Sequence, residues 1–263
     1  MEQIMKQRST WIKNICIIAF WILIWQIGAT IIDNHILLVS PLDTLQALSV
    51  LIVSADFWAA IWFSFARISL GFLIAFVCGL LTGTLAYWKP LIDDFLAPPI
   101  HFMKSIPVAS FVILALIWTG SKNLSVFISF IVVYPMIHVN TLAGLCSTDP
   151  KLLEMAKVFR VPIWRQAMAI YRIALYPYLA SAMKTALGMG FKSGIAAEVI
   201  GVPTGSIGEG LYLSKIYLST AELFSWTIVI ICVSVLFESV FLLLLRKAAG
   251  KGVVKGNDDG KNF

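Results

Sequence analysis

The chain has 263 residues, 59% of them apolar and only 13% charged, with 20 Lys and Arg against 14 Asp and Glu and a formal net charge of +6. Soluble domains run to about a quarter charged residues, so this composition, with a mean hydropathy of +0.88, excludes a soluble fold and points to a bilayer. No soluble basic domain is present to hold nucleic acid, so the positive charge has to be explained by its placement around a membrane.

Lys6, Arg8 and Lys13 precede a first uncharged run, 14–32. The order resembles a signal peptide, but the run is too long for an h-region and lacks a small-x-small exit, so it is expected to be a retained span. A crossing helix needs about 20 mostly apolar residues, because its backbone must satisfy its own hydrogen bonds in lipid. A second run, 68–88, lies between Arg67 and Lys89. A third and shorter run, 105–121, lies between Lys104 and Lys122, and a fourth covers 123–148. A fifth, about 178–200, is interrupted by Lys184, Lys192 and Glu198. The sixth, 223–245, contains only Glu238. These runs predict an all-α polytopic membrane protein of about six transmembrane helices. Its parts are a tail at 1–13, one membrane domain at 14–245 and a second tail at 246–263. Cys16, Cys78, Cys146 and Cys232 fall in separate runs without metal-ligand spacing, so they are expected to be small packing residues.

Lys and Arg accumulate on the cytoplasmic side of short loops. With the N-terminus inside, the inner segments hold Lys6, Arg8, Lys13, Lys89, Lys104, Lys151, Lys157, Arg160, Arg165, Arg172, Arg246, Lys247, Lys251, Lys255 and Lys261, while the outer loops hold only Lys122 and Lys215. The bias predicts that both ends face the cytoplasm.

The segment at about 149–177 is then an inner loop with helical signals. Asp149 suits an N-cap and Pro150 the first helical position. Leu152, Met155, Ala156 and Phe159 share one face, with Glu154 and Lys157 roughly opposite. Pro162 ends that helix, a second helical stretch covers 163 to about 174, and Pro177 marks the entry to the fifth span. An apolar stripe on an inner loop fits docking onto a partner, and it equally fits an interfacial helix on anionic lipid.

In the fifth run, Lys184, Gly188, Phe191, Lys192, Ile195 and Glu198 fall within about 120° of one another at helical spacing. Charges in a membrane helix are costly and usually face the bundle interior or water. This face is expected to line a translocation path, with Lys192 a cationic station for an anion. The other reading pairs Lys192 with a buried carboxylate or carbonyl for structure. Gly79-x-x-x-Gly83 and Gly190-x-x-x-Gly194 read as close helix approaches. "GVPTGSIGEG", 201–210, lacks the Lys-Ser/Thr end of a phosphate loop and reads as an outer turn or re-entrant loop. Arg67 reads as a partner for a carbonyl or carboxylate, and Trp11, Trp88 and Trp118 as interfacial anchors. His35, His101 and His138 are scattered and support neither a metal site nor a catalytic dyad.

Glu154-Met155-Ala156, followed by Arg160 and Pro177, resembles the EAA loop of bacterial ABC-transporter permeases. The similarity extends through "SFARISLGFLIAFVCGLLTG" (64–83), "FMKSIPVASFVILALIWTG" (102–120), "STDPKLLEMAK" (147–157) and "GMGFKSGIAAEVIGVPTGSIGEGLYLSKIYLSTAELF" (188–224). Over residues 40–245 the chain resembles permeases of the nitrate, sulfonate, taurine and bicarbonate importer family. It departs from the motif at Met155, where Ala is preferred; at Arg160, where Gly is usual; and at Arg172-Ile173, where a Leu-Pro pair is absent.

The resemblance implies a six-helix permease of the bacterial inner membrane whose coupling helix docks on a separate ATPase through Glu154, Met155, Ala156, Phe159 and Arg160, with Pro177 behind. It also implies a second permease copy, an external binding protein and surrounding lipid. ATP and Mg would be used by the ATPase. No cofactor is expected on this chain, because the P-loop pattern is missing and Gly250-Lys251-Gly252 has neither the upstream Gly nor a following Ser or Thr. The substrate implied is a small oxyanion or sulfonate, with a thiamine-precursor-like heterocycle as the alternative. A secondary transporter or channel would account for Lys192 and Glu198 but not for the inner loop. An intramembrane enzyme would need H-E-x-x-H or G-x-S-x-G, and neither occurs.

Overall fold

The computed structural model describes residues 2–34 and 36–249. His35 and the tail from Gly250 onward, including Lys251, Lys255 and Lys261, lie outside the described residues. The described residues form ten α-helices and one π-helical segment, with no strand among them. The order is α1 (Glu2–Ile32), α2 (Pro41–Val53), α3 (Ala55–Trp88), α4 (Pro90–Ser105), α5 (Val108–Cys146), α6 (Pro150–Val158), α7 (Ile163–Gln166), the π segment (Ala167–Tyr171), α8 (Arg172–Gly201), α9 (Ile207–Ile216) and α10 (Thr220–Ala249). Segments Ile15–Ile32, Ala55–Trp88, Val108–Cys146 and Thr220–Leu244 are long and apolar enough to cross a bilayer. With 30 residues, α8 is also long enough, at about 45 Å, but carries Lys184, Lys192 and Glu198.

The third and fourth sequence runs meet inside α5. Gly120 breaks that element with φ 69° and ψ 166°, backbone that favours glycine. The rings of Phe111 and Phe127 lie 6.2 Å apart, whereas in a continuous helix they would be separated by about 24 Å. The chain therefore reverses at Gly120 and folds back as two arms, 108–119 and 121–146. The expectation of a full span at 105–121 needs correction, because the first arm is only about 18 Å long. The crossing is completed by α4, which meets the arm at Ile106 and Pro107. Asp93 near the start of α4 lies 3.7 Å from Nε2 of His138, far down the second arm from Gly120. The pair of helices thus traverses the bundle, although α4 contains Pro98 and Pro99.

The core is built from α3, α5 and α8. A Cβ at Gly79 would meet Ile137 at 2.9 Å, one at Gly83 would meet the His138 carbonyl at 2.8 Å, and one at Gly190 would meet Val133 at 2.7 Å. These small residues let backbones approach where lipid supplies no hydrophobic drive for helix association. Phe72, Phe191 and Phe237 close the centre, with Phe237 of α10 edge-on to Phe72 at 5.7 Å. Helix α1 stands at the margin, tied at one end by Trp25 Nε1 donating to the Val39 carbonyl at 3.0 Å. Of the cysteines, Cys78 is half-buried and Cys16, Cys146 and Cys232 are exposed, so three face outward instead of packing the core.

The inner loop also differs from expectation at its second half. From Ile163 the chain is helical without interruption through α7, the π segment and α8. Pro177 lies inside α8 and is not the entry to the span.

Candidate functional site

Helix α6 is set by its two ends. The Asp149 side chain accepts from the Lys151 N–H at 2.9 Å, and Pro150 takes the first helical position. At the other end, the Val161 N–H donates to the Ala156 carbonyl at 2.9 Å and the Arg160 N–H donates to the Lys157 carbonyl at 3.1 Å. These two bonds form a Schellman motif, and Arg160 is its left-handed residue with φ 50°. That accounts for glycine being usual at this position of the motif. Gln166 then closes the turn, its Nε2 donating to the Val161 carbonyl at 2.7 Å.

Only Ala156 of the predicted apolar stripe is buried, and it anchors α6 to the body of the protein. Met155 (52% exposed) and Phe159 (73%) point outward beside Leu152, and Glu154 and Arg160 are exposed as well. Val158, Ile163 and Trp164 add to the same open apolar surface. Sequence periodicity missed those three because Val158 lies off the stripe, and the other two follow Pro162 in a separate helix. Pro177 is half-buried one turn into α8 and does not contribute to this surface.

The predicted face of α8 is divided. Lys184 and Lys192 are exposed and Gly188 is half-buried, whereas Phe191, Ile195 and Glu198 are buried inside the protomer. A cleft of about 340 Å³ opens at Lys192, lined also by Val108, Val112, Ser193 and Ala196. No hydrogen bond or ion pair to Lys192 is seen among the described residues. Exposed Thr185, Lys184 and Lys192, with half-buried Ser193, make a polar stripe on one side of α8. The outward side chains of α10 include the apolar Ile231, Val235, Leu236 and Val240.

Ile195 and Glu198 are therefore corrected as pathway candidates, because neither is open to a path outside the protomer. Helical angle alone put them with Lys192, while packing by α3 and α9 covers them. Glu198 accepts from Ser64 Oγ at 2.5 Å, a partner with no periodic signal in the sequence. Arg67, one turn along α3, donates to the Asn123 side-chain carbonyl at 2.7 Å and lies over the Phe63 ring at 4.7 Å.

Among the described residues, Thr82, His138 and Asp93 form an arrangement that resembles a nucleophile and base. Thr82 Oγ1 lies 2.9 Å from His138 Nδ1. The same hydroxyl donates to the Cys78 carbonyl at 2.8 Å within its own helix. Its single proton is thus engaged by backbone, and the three side chains pack between α3, α4 and α5, which is a structural role.

Comparison with known proteins places this architecture. Residues 71–250 match a family model described as "Binding-protein-dependent transport system inner membrane component". The chain is 26% identical over 245 residues to the putative aliphatic sulfonates transport permease protein SsuC of Bacillus subtilis, covering 92% of this chain and 88% of the relative. It is 27% identical over 162 residues to the bicarbonate transport system permease protein CmpB of Synechocystis, covering 61% and 57% respectively. It is 24% identical over 239 residues to a probable ABC transporter permease protein of Haemophilus influenzae, covering 89% and 96%.

Proposed function

Since this chain belongs to the family of binding-protein-dependent transport system inner membrane components, we propose that it is the permease subunit of an ATP-driven importer for a small anion. The chain is a multi-pass membrane protein of a family of transport subunits, which are not enzymes. The reading of an ATP-driven importer rests on α6. A short helix held rigid at both ends presents Met155 and Phe159 outward at the basic end of the bundle. Exposed apolar side chains flanked by charges mark a protein contact. A separate ATPase, using ATP and Mg, covers this surface, and its closure biases the membrane arrangement through α6.

The polar stripe of α8 supports a path between this chain and a second copy. Lysines do not face lipid at mid-span, so Lys192 and the groups beside it face water or a partner. A cation there suits an anionic solute, in keeping with relatives named for aliphatic sulfonates and for bicarbonate. The solute arrives from an external binding protein, and the charge bias puts both termini on the cytoplasmic side of a bacterial inner membrane.

The test is ATPase coupling in the assembled transporter. Phe159→Glu and Glu154→Lys are expected to leave the permease inserted while abolishing solute-stimulated ATP hydrolysis. Unchanged stimulation in both variants would refute the docking role of α6.

A further inference from the structure

A second cavity, of about 480 Å³, opens at the foot of α8, between the ends of α3 and α5 and the π segment. Tyr87, Trp88 and Tyr171 form one aromatic wall, with ring separations of 5.6 to 6.2 Å. Trp164 and Met168 form the other side and are themselves half to two-thirds exposed. The wide turn of the π segment presents Ala167, Met168 and Tyr171 together, and such turns recur at functional sites. Among the described residues, Arg172 is the one charged residue in the lining. The Thr84 hydroxyl is already spent on the Leu80 carbonyl at 2.7 Å.

The surroundings identify the medium that fills this space. Trp88 lines the cavity and is itself more than half exposed, and Leu85 and Leu81 continue its face of α3, both also more than half exposed. The cavity therefore runs directly into an apolar, outward-facing stripe. Trp and Tyr gather at the level of lipid headgroups. Arg165 and Arg172 lie at that same end, and basic pockets between membrane helices hold anionic headgroups. We propose that the cavity seats an acyl chain of an anionic phospholipid whose phosphate is held by Arg172. The site adjoins the α6 surface through Ile163 and Trp164, is separate from the α8 stripe, and wedges the span of α8 against the docking loop at its foot.

The test uses the purified full chain in detergent, without ATPase or binding protein, so its outcome does not depend on the transport reading. Retention of dioleoyl phosphatidylglycerol is measured against dioleoyl phosphatidylcholine by native mass spectrometry. The wild-type chain is expected to prefer phosphatidylglycerol, and Arg172→Gln to cut that preference about fivefold, the effect of one basic residue near an anionic surface. Thr84→Phe, which fills the cavity and leaves Arg172 in place, is expected to lower retention of both lipids. Inorganic phosphate is expected not to compete. Equal retention of the two lipids by wild type overturns the proposal, and so does a preference that survives in both variants. Displacement by inorganic phosphate would reduce the site to an anion site and overturn it too. If Thr84→Phe leaves retention of both lipids unchanged, the cavity holds no acyl chain and the lipid proposal fails.

Discussion

Ser64 and Glu198 join three helices at one buried point: Ser64 Oγ donates to Glu198 Oε2 at 2.5 Å and accepts the Ile207 N–H at 2.9 Å. Both side chains are fully buried. Ile207 is the first residue of α9, so the carboxyl group is held beside the first turn of that helix. A Cβ at Gly208 would come within 2.3 Å of Glu198 Cβ, so glycine is what lets α9 close on α8. The most unexpected charge in the fifth span thus fastens the α9 helix to α3 and α8.

Loss of that clasp is expected to cost stability without changing the solute path. Ser64→Ala leaves the Ile207 N–H and a carboxyl oxygen without their partner, at about 1–3 kcal/mol. Glu198→Ala adds a cavity, for about 2–4 kcal/mol. The double variant is expected to cost clearly less than the sum, because both single changes break the same contact. Unfolding of the purified chain in detergent measures all three. Strict additivity would show that the two residues do not act through one contact.

Much of this architecture is legible in the sequence, because a bilayer forces uncharged runs. The cap at Asp149-Pro150 and the partner-seeking Arg67 are local signals and could be read from one residue type in one context. The hairpin at Gly120 was hidden because a single glycine between two apolar runs looks like a short loop. The crossing role of α4 was hidden because Asp93, Asp94, Pro98 and Pro99 look like loop residues. A helical wheel put Lys192 and Glu198 on one face, yet it carries no information about which neighbour covers which part. Only the packing of α3 and α9 separates the buried carboxylate from the exposed lysine.

Arg160 carries a backbone cost that glycine would remove. An L-residue with a side chain loses roughly 1–2 kcal/mol in the left-handed region, whereas glycine enters it freely. The Schellman bonds of α6 are backbone bonds and survive the change. Arg160→Gly is therefore expected to raise stability by about 1 kcal/mol, and Arg160→Val to lower it, since a β-branched residue resists positive φ. Hydrogen exchange of the Arg160 and Val161 amides gives the local readout. Faster exchange in the glycine variant would contradict the assignment of strain to this residue.

The reversal at Gly120 fixes a topology that labelling can check. Lys122 follows the reversal and Lys215 lies in α9, both exposed, while Lys157 lies in α6 at the other end of the bundle. In a background free of Cys16, Cys78, Cys146 and Cys232, single cysteines at 122 and 215 are expected to react with an impermeant thiol reagent on intact cells. A cysteine at 157 is expected to react only after permeabilisation. Reaction at 157 in intact cells, or protection at 215, would overturn the arrangement.

Lys192 offers the sharpest test of the solute's charge. An ammonium group within a membrane span is costly to leave without compensation. Among the described residues it has none, because its side chain is exposed at a cleft lined mainly by Val108, Val112 and Ala196. The compensation then comes from water in the path or from the solute itself. Removing the charge leaves no buried partner stranded, so Lys192→Met is expected to fold and assemble normally. Uptake of an anionic solute per assembled transporter should fall at least tenfold, the effect of losing a single charged contact worth about 1.5–3 kcal/mol. Lys192→Arg retains the charge with a planar, forked geometry and is expected to retain part of the uptake. Reconstituted vesicles loaded with ATP give uptake, and gel filtration gives assembly. Normal uptake in the Met variant would eliminate Lys192 as a station for the anion. Loss of assembly in that variant would assign the lysine to the contact between copies instead.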